Sequence, residues 1–294
     1  MPCSPPPAAA CAPSTALISP MANPASPIPA SSPAASIERV LSNVILATSP
    51  SEGTVRHSTM DPGLRRGDNL SRRAFEVIDG RTGGMVTRLL PEDPAGIAAA
   101  AETLRAGGVI VMPTDTLYGI GADATNEAAV ARVFEVKGRG DDKPLLVLAP
   151  DLATVEREVM LSSSARTLAD RFWPGPLTLI ASRRPDASLA RGLNPAGTSI
   201  GLRVPDRPAT LALLRAFGRP ITAPSANRTG DAPARSAPEA LRALGTLVDL
   251  VLDGGASKES RPSTIIDCTG ARPRLVREGA LARASIQSTI RELD

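Results

Sequence analysis

Residues 93–121 read DPAGIAAAAETLRAGGVIVMPTDTLYGIG, and this stretch decides the fold class. Asp93 offers a side-chain cap, Pro94 opens the first turn, Ile97, Ala98, Ala101 and Leu104 recur at helical spacing, and Gly107 and Gly108 supply a stop. Val109 to Met112 then run apolar without alternation until Pro113, the pattern of a strand covered on both faces. A capped helix followed at once by a doubly covered strand is the building unit of an α/β domain.

Working outward, similar apolar runs recur at 145–149, 177–181, 199–204, 219–223, 247–252 and 263–268. Helical patterns lie between and after them at 126–136, 163–173, 207–217, 236–244 and 282–292. The alternation predicts one α/β domain over 85–294, with flanking helices on a twisted mixed sheet. Residues 1–38 contrast sharply: Pro, Ala and Ser make up 27 of the 38, and no Lys or Arg precedes Arg39. Such a segment buries too little apolar surface to offset its ordering entropy, and it has neither the basic start nor the apolar stretch of a secretory signal. No period is sustained over 39–80 either, so 1–80 is expected to be a disordered extension, dispensable for activity, with Met60 and Met85 as alternative starts.

Composition removes several function classes. The 294 residues contain one His (His57) and three Cys (Cys3, Cys11, Cys268), too few for a Cys/His zinc site or a disulfide framework, and a folded domain without His has no Ser-His triad. No apolar run approaches the length of a membrane span, which implies a soluble, cytoplasmic protein with no membrane partner. There is no G-x-x-x-x-G-K-[ST] loop and no G-x-G-x-x-G opening a helix, so any nucleotide must be held by dispersed side chains.

Polar clusters fall where the apolar strands end, the usual place for ligand loops in an open α/β sheet. Thr114, Asp115 and Thr116 leave the first strand in a Gly-containing turn. Lys137, Arg139 and Lys143 lie on a Gly-rich connection that can wrap an anion, although the pattern alone favours a solvated turn. Trp173, beside a helix stop, reads as packing. Ser199 and Arg203 share one strand face, and the Arg, set in an apolar run, requires either a structural carboxylate or a bound anion. Ser225 and Asn227 follow another strand; Ser263, Thr264 and Asp267 mark a third, and Arg277 stands at the end of a fourth. If these strand ends converge, the hollow is basic and rich in donors, suited to a polyphosphate or to carboxylates.

Taken in order, PTDTLYGIGAD, VKGRGDDKPL, FWPGPLT, GLRVP, APSAN, STIID and LVREG resemble the YrdC-like threonylcarbamoyl-AMP synthase family over residues 88–281. The resemblance implies synthesis of L-threonylcarbamoyladenylate and pyrophosphate from ATP, L-threonine and bicarbonate, for a downstream transferase complex that modifies tRNA. It implies threonine contacts from Thr116, Arg203, the Ala223 backbone and Ser263. ATP contacts would come from Arg139, Lys143, Ser199, Ser225, the backbone near Pro233, and Arg277. By the same resemblance, Lys137, Arg139, Ser225 and Asn227 would form the catalytic quartet. ATP enters as substrate, Mg²⁺ is expected with it, and neither an organic cofactor nor a protein metal site is implied. Leu148 and Pro233 depart from the commonest family pattern. The shortness of the chain after Leu281 suggests the single-domain form.

Two other readings compete. A basic concave surface on a chain of pI near 9.0 could bind duplex RNA by shape, although aromatic residues for base stacking are scarce. Carbamoyl transferases of metallocentre maturation share the nucleotide domain, but they add an acylphosphatase domain and Cys-rich zinc motifs for which this chain has no room.

Overall fold

A computed structural model describes residues 86–138, 143–195, 197–290 and 292–294, together with strand backbones at 53–57 and 75–79. The strands form two sheets. The first, in the order β1-β2-β3-β11-β4-β5, contains β1 (Gly53–His57), β2 (Phe75–Asp79), β3 (Val86–Pro91), β4 (Ile110–Met112), β5 (Gly119–Gly121) and β11 (Leu250–Asp253). The second runs β10-β6-β9-β8-β12-β13 and consists of β6 (Leu146–Leu148), β8 (Leu177–Arg183), β9 (Ser199–Arg203), β10 (Ile221–Thr222), β12 (Thr264–Asp267) and β13 (Arg274–Arg277), with β7 (Val159–Met160) paired to β8. The helices are α1 (Pro94–Arg105), α2 (Glu127–Lys137), α3 (Leu152–Glu158), α4 (Ser163–Phe172), α5 (Pro208–Phe217), α6 (Ala237–Leu244) and α7 (Arg283–Gln287).

The expected single mixed sheet is thus two mixed sheets, joined by isolated antiparallel bridges between Gly119 and Ser225 and between Asp123 and Ile221. The sheet also begins before residue 85. β1 pairs antiparallel with β2, and β2 with β3, so two strands fall inside the stretch expected to lack structure. The sequence FEVIDGRTGGMVTRLL explains the second pairing: two apolar-rich runs flank a Gly-containing connection, as in a hairpin. The rest of 1–80 lies outside the described residues.

The central strands confirm why their apolar runs are continuous. Ile110 and Met112 of β4 pack with α1 and α5 through Leu104, Leu213, Leu214 and Phe217. Val111, pointing the other way, packs with Val133 of α2 and Val251 of β11. Truncating one such Leu to Ala generally costs about 2–5 kcal/mol. Asp93 caps α1 by accepting from Gly96 N at 2.8 Å, and Asn126 caps α2 by accepting from Ala128 N and Ala129 N. α2 ends at Gly138, whose φ of 60° lies in the left-handed region that an L side chain rarely adopts.

The stretch after β4, expected to be a turn, does turn at 113–118 but ends by folding back as β5. Gly-Ile-Gly carries little strand preference, and the pairing comes from tertiary context. Gly119 lies so close to the strand-end loop at 223–225 that an added Cβ would sit 3.4 Å from Ala223 Cβ. That approach carries the turn at 113–118 against the second sheet.

Candidate active site

Two polar clusters occupy the seam. The first is built on the 114–117 turn. Thr114 Oγ1 donates to Leu117 O at 2.7 Å and accepts from Thr116 N at 3.1 Å, fixing Asp115 and Thr116 at its tip. Arg203, at the end of β9, reaches the turn although its side chain is only 2% exposed. Its Nη1 donates to Thr116 Oγ1 at 3.0 Å, its Nε to Gly175 O at 2.9 Å, and its Nη2 forms an ion pair with Asp115. The sequence left Arg203 open between a structural carboxylate and a bound anion; the structure provides the carboxylate. Among the described residues, Asp115 Oδ1 and Oδ2 and Arg203 Nη2 have no hydrogen-bond partner beyond that ion pair.

Beside it, Ser263 Oγ and Thr178 Oγ1 share a hydrogen bond of 2.8 Å, bringing β12 and β8 together. Arg277 closes this side, donating from Nε and Nη2 to Ser263 O at 3.2 and 2.9 Å. Burial, and then the neighbouring positive charge of Arg203, make the Arg277 guanidinium a weaker base than usual. Two guanidinium groups held this near each other favour an anion between or beside them.

The second cluster joins the end of α2 to the loop after β10. Lys137 is buried, and its Nζ donates to Ser225 O at 2.8 Å and to Asn227 Oδ1 at 3.0 Å. Ser225 Oγ donates to the same Oδ1 at 2.6 Å, while Asn227 Nδ2 donates to Arg228 O and Asp231 O at 2.9 and 2.7 Å. The amide therefore has both ends engaged and one possible orientation.

The remaining expected residues fall less centrally. Arg139 lies outside the described residues, and Lys143 is exposed on the far side of that gap. Ser199 begins β9, four residues from Arg203, about 13 Å at strand rise, with its carbonyl accepting from Asn194 Nδ2. Ala223 N is engaged by Leu146 O at 2.7 Å. Pro233 is exposed, next to Ala234, whose backbone bonds Ala226 O and Tyr118 N. Leu148 is fully buried with Ile110, Met112 and Ile221, so it faces core and not ligand. Trp173 packs on two core clusters, as its sequence position suggested, and donates from Nε1 to Leu177 O. Sequence reasoning gave no role to Asp115, Thr178 or the Gly175 carbonyl. Asp115 was visible only as one polar residue of a turn, with nothing to pair it to Arg203.

Among the described residues, no cluster of three or more His, Cys, Asp or Glu could hold a metal ion, and no helix is long and apolar enough to cross a membrane. The fold and site define an α/β protein whose strand-end segments carry a buried arginine ion pair beside a second arginine, and a buried lysine bonded to the Ser225–Asn227 loop.

The chain belongs to the Sua5/YciO/YrdC family, whose model, described as "Telomere recombination", matches residues 102–279. It is 41% identical over 196 residues to a Mycobacterium tuberculosis protein provisionally named threonylcarbamoyl-AMP synthase, an alignment covering 66% of this chain and 89% of that protein. It is 38% identical over 206 residues to the Bacillus subtilis threonylcarbamoyl-AMP synthase, covering 70% of this chain but 59% of that one. The crystal structure of Pyrococcus abyssi Sua5 complexed with L-threonine superposes with a TM-score of 0.66 at 34% identity, covering 70% of this chain and 60% of that one.

Proposed function

We propose that this chain is a threonylcarbamoyl-AMP synthase, a nucleotidyltransferase that makes L-threonylcarbamoyladenylate and pyrophosphate from ATP, L-threonine and bicarbonate. The observation that carries the reading is the Arg203–Thr116–Ser263–Arg277 arrangement in a relative of enzymes bearing that name, one of which has been solved with L-threonine. Those names also favour the enzyme over a duplex-RNA-binding module. The amino-acid hollow is assigned to Thr116, Arg203, Ala223 and Ser263, and the nucleotide side to Arg139, Lys143, Ser199, Ser225, Pro233 and Arg277.

The reaction builds up negative charge in two steps: the neutral threonine amine captures carbon dioxide with loss of a proton, or bicarbonate with loss of water, to give an N-carboxylate, and this anion then attacks the α-phosphorus of the triphosphate while pyrophosphate leaves. Positive groups fixed in advance lower both barriers without covalent participation by the protein. Lys137, held by Ser225 and Asn227, is one such group, and Arg277 is a second. Mg²⁺ would arrive on the triphosphate, where it would offset the charge of the phosphates. The product is for a threonylcarbamoyl transferase complex acting on tRNA, in the cytoplasm. Incubation with ATP, L-threonine and bicarbonate, with pyrophosphate measured, tests the assignment; pyrophosphate release that does not depend on threonine would overturn it.

A further inference from the structure

Among the described residues, four buried side-chain polar atoms lack a hydrogen-bond partner, and three of them belong to one ion pair, Asp115 and Arg203. Buried polar atoms are normally satisfied, and a carboxylate can accept about four hydrogen bonds, so this concentration marks an arrangement that protein groups leave incomplete. The two residues are not incomplete in the same way. Arg203 is anchored on Nε and Nη1 by Gly175 O and Thr116 Oγ1. Asp115 is held through its backbone turn, and among the described residues its carboxylate has the ion pair with Arg203 Nη2 and no hydrogen-bond partner.

We propose that Asp115 receives the α-ammonium of the amino-acid substrate, the Arg203–Asp115 pair being exchanged on binding for two pairs with the zwitterion. This rests on the threonine assignment above. The exchange leaves the buried charge balance unchanged, since the ligand carboxylate takes Arg203 and the ligand ammonium takes Asp115. A ligand with only a carboxylate would strand Asp115 as an uncompensated buried charge, and an amine alone would strand Arg203; either is strongly unfavourable. Asp115 is in this account the residue that selects a free α-amino acid over an N-blocked or deaminated one. Arg277 remains as the surplus positive charge for the nucleotide phosphate.

Calorimetric titration of the full chain with L-threonine, N-acetyl-L-threonine, 3-hydroxybutanoate and threoninol tests this before any variant is made. Threonine is expected to bind at least about a hundredfold tighter than each of the others, the size of a lost buried charge pair. Comparable affinity for 3-hydroxybutanoate or N-acetyl-L-threonine would overturn the proposal. Asp115→Asn is then expected to weaken threonine at least about tenfold, to narrow the ratio between threonine and 3-hydroxybutanoate to a few-fold, and to leave ATP binding unaltered, with Asp115→Glu recovering part of the selectivity. Equal weakening of both ligands would show that Asp115 acts only by holding Arg203. Wild-type protein that binds no threonine would overturn the enzyme assignment itself.

Discussion

Lys137 Nζ donates to Asn227 Oδ1 across 3.0 Å, although the two residues stand 90 positions apart in the chain. One bond thereby ties the end of α2 to the loop that follows β10, and Thr229 N, donating to Lys137 O at 2.9 Å, reinforces it. A buried ammonium so held is both an anchor for the loop and a fixed positive charge. Lys137→Met keeps the stem and removes the charge. Pyrophosphate formation should fall by about a hundredfold or more, while the unmet acceptors cost only about 1–3 kcal/mol in stability. Near-normal turnover in a folded variant would reduce the lysine to a structural anchor.

Arg203→Ala should weaken threonine more than ATP and cost about 3–5 kcal/mol of stability, because Asp115 is left as a buried, unpaired charge. The double variant Arg203→Ala with Asp115→Asn should regain much of the stability and none of the threonine affinity. Urea denaturation and separate KM values for each substrate distinguish the two effects; equal loss for both substrates would make the arginine purely structural.

Tyr118 OH donates to Gly255 O at 2.7 Å and accepts from Gly254 N at 3.1 Å, and burial raises its pKa well above the ordinary phenol value, so it remains a donor throughout the usable pH range. Tyr118→Phe leaves both backbone groups without their partner and should cost about 1–3 kcal/mol. An unshifted denaturation midpoint would show that water replaces the hydroxyl.

Asp253 has its carboxyl pKa raised by burial, with the Gly255 N–H opposing the shift. The folded protein then holds this proton more firmly than the unfolded chain. The contribution to stability is fully present below the unfolded pKa near 3.8 and is lost as pH rises through the higher folded value. Asp253→Asn retains the oxygen that accepts from Gly255 and should flatten the fall in stability as pH rises above the unfolded value near 3.8. A variant profile parallel to wild type would assign the slope to other groups.

Starting the chain at Met85 removes β1 and β2 and leaves the outer edge of β3 unpaired. The sequence alone suggested that everything before residue 80 is dispensable; the hairpin predicts instead a shortened protein that retains the site but self-associates through that edge. Light scattering against concentration measures this, and a monodisperse shortened protein would restore the simpler expectation.

The legible part of the fold was the part covered on both faces. Val109 to Met112 could be read as a strand because successive side chains enter different core clusters, which enforces a continuous apolar run. α3, with seven residues, was too short to show a period, and β5 was hidden by its two glycines. Lys137, Ser225 and Asn227 were recognisable by type and motif, but their mutual bonds were not, since no local pattern records a partner 90 residues away. Asp115 escaped notice for the same reason: its meaning depends on Arg203, which belongs to the other sheet.

β11 lies parallel between β3 and β4, yet it is synthesised some 140 residues after β4 begins. On the ribosome, the first sheet therefore has a vacant slot at its centre until residue 253 has emerged, with two unpaired strand edges flanking it. Arg277 emerges later still. Nascent chains truncated before about residue 250 should consequently be protease-sensitive and should recruit chaperones, and no fragment ending there should bind ligand, because closure of the sheet and completion of the hollow both await the last fifth of the polypeptide.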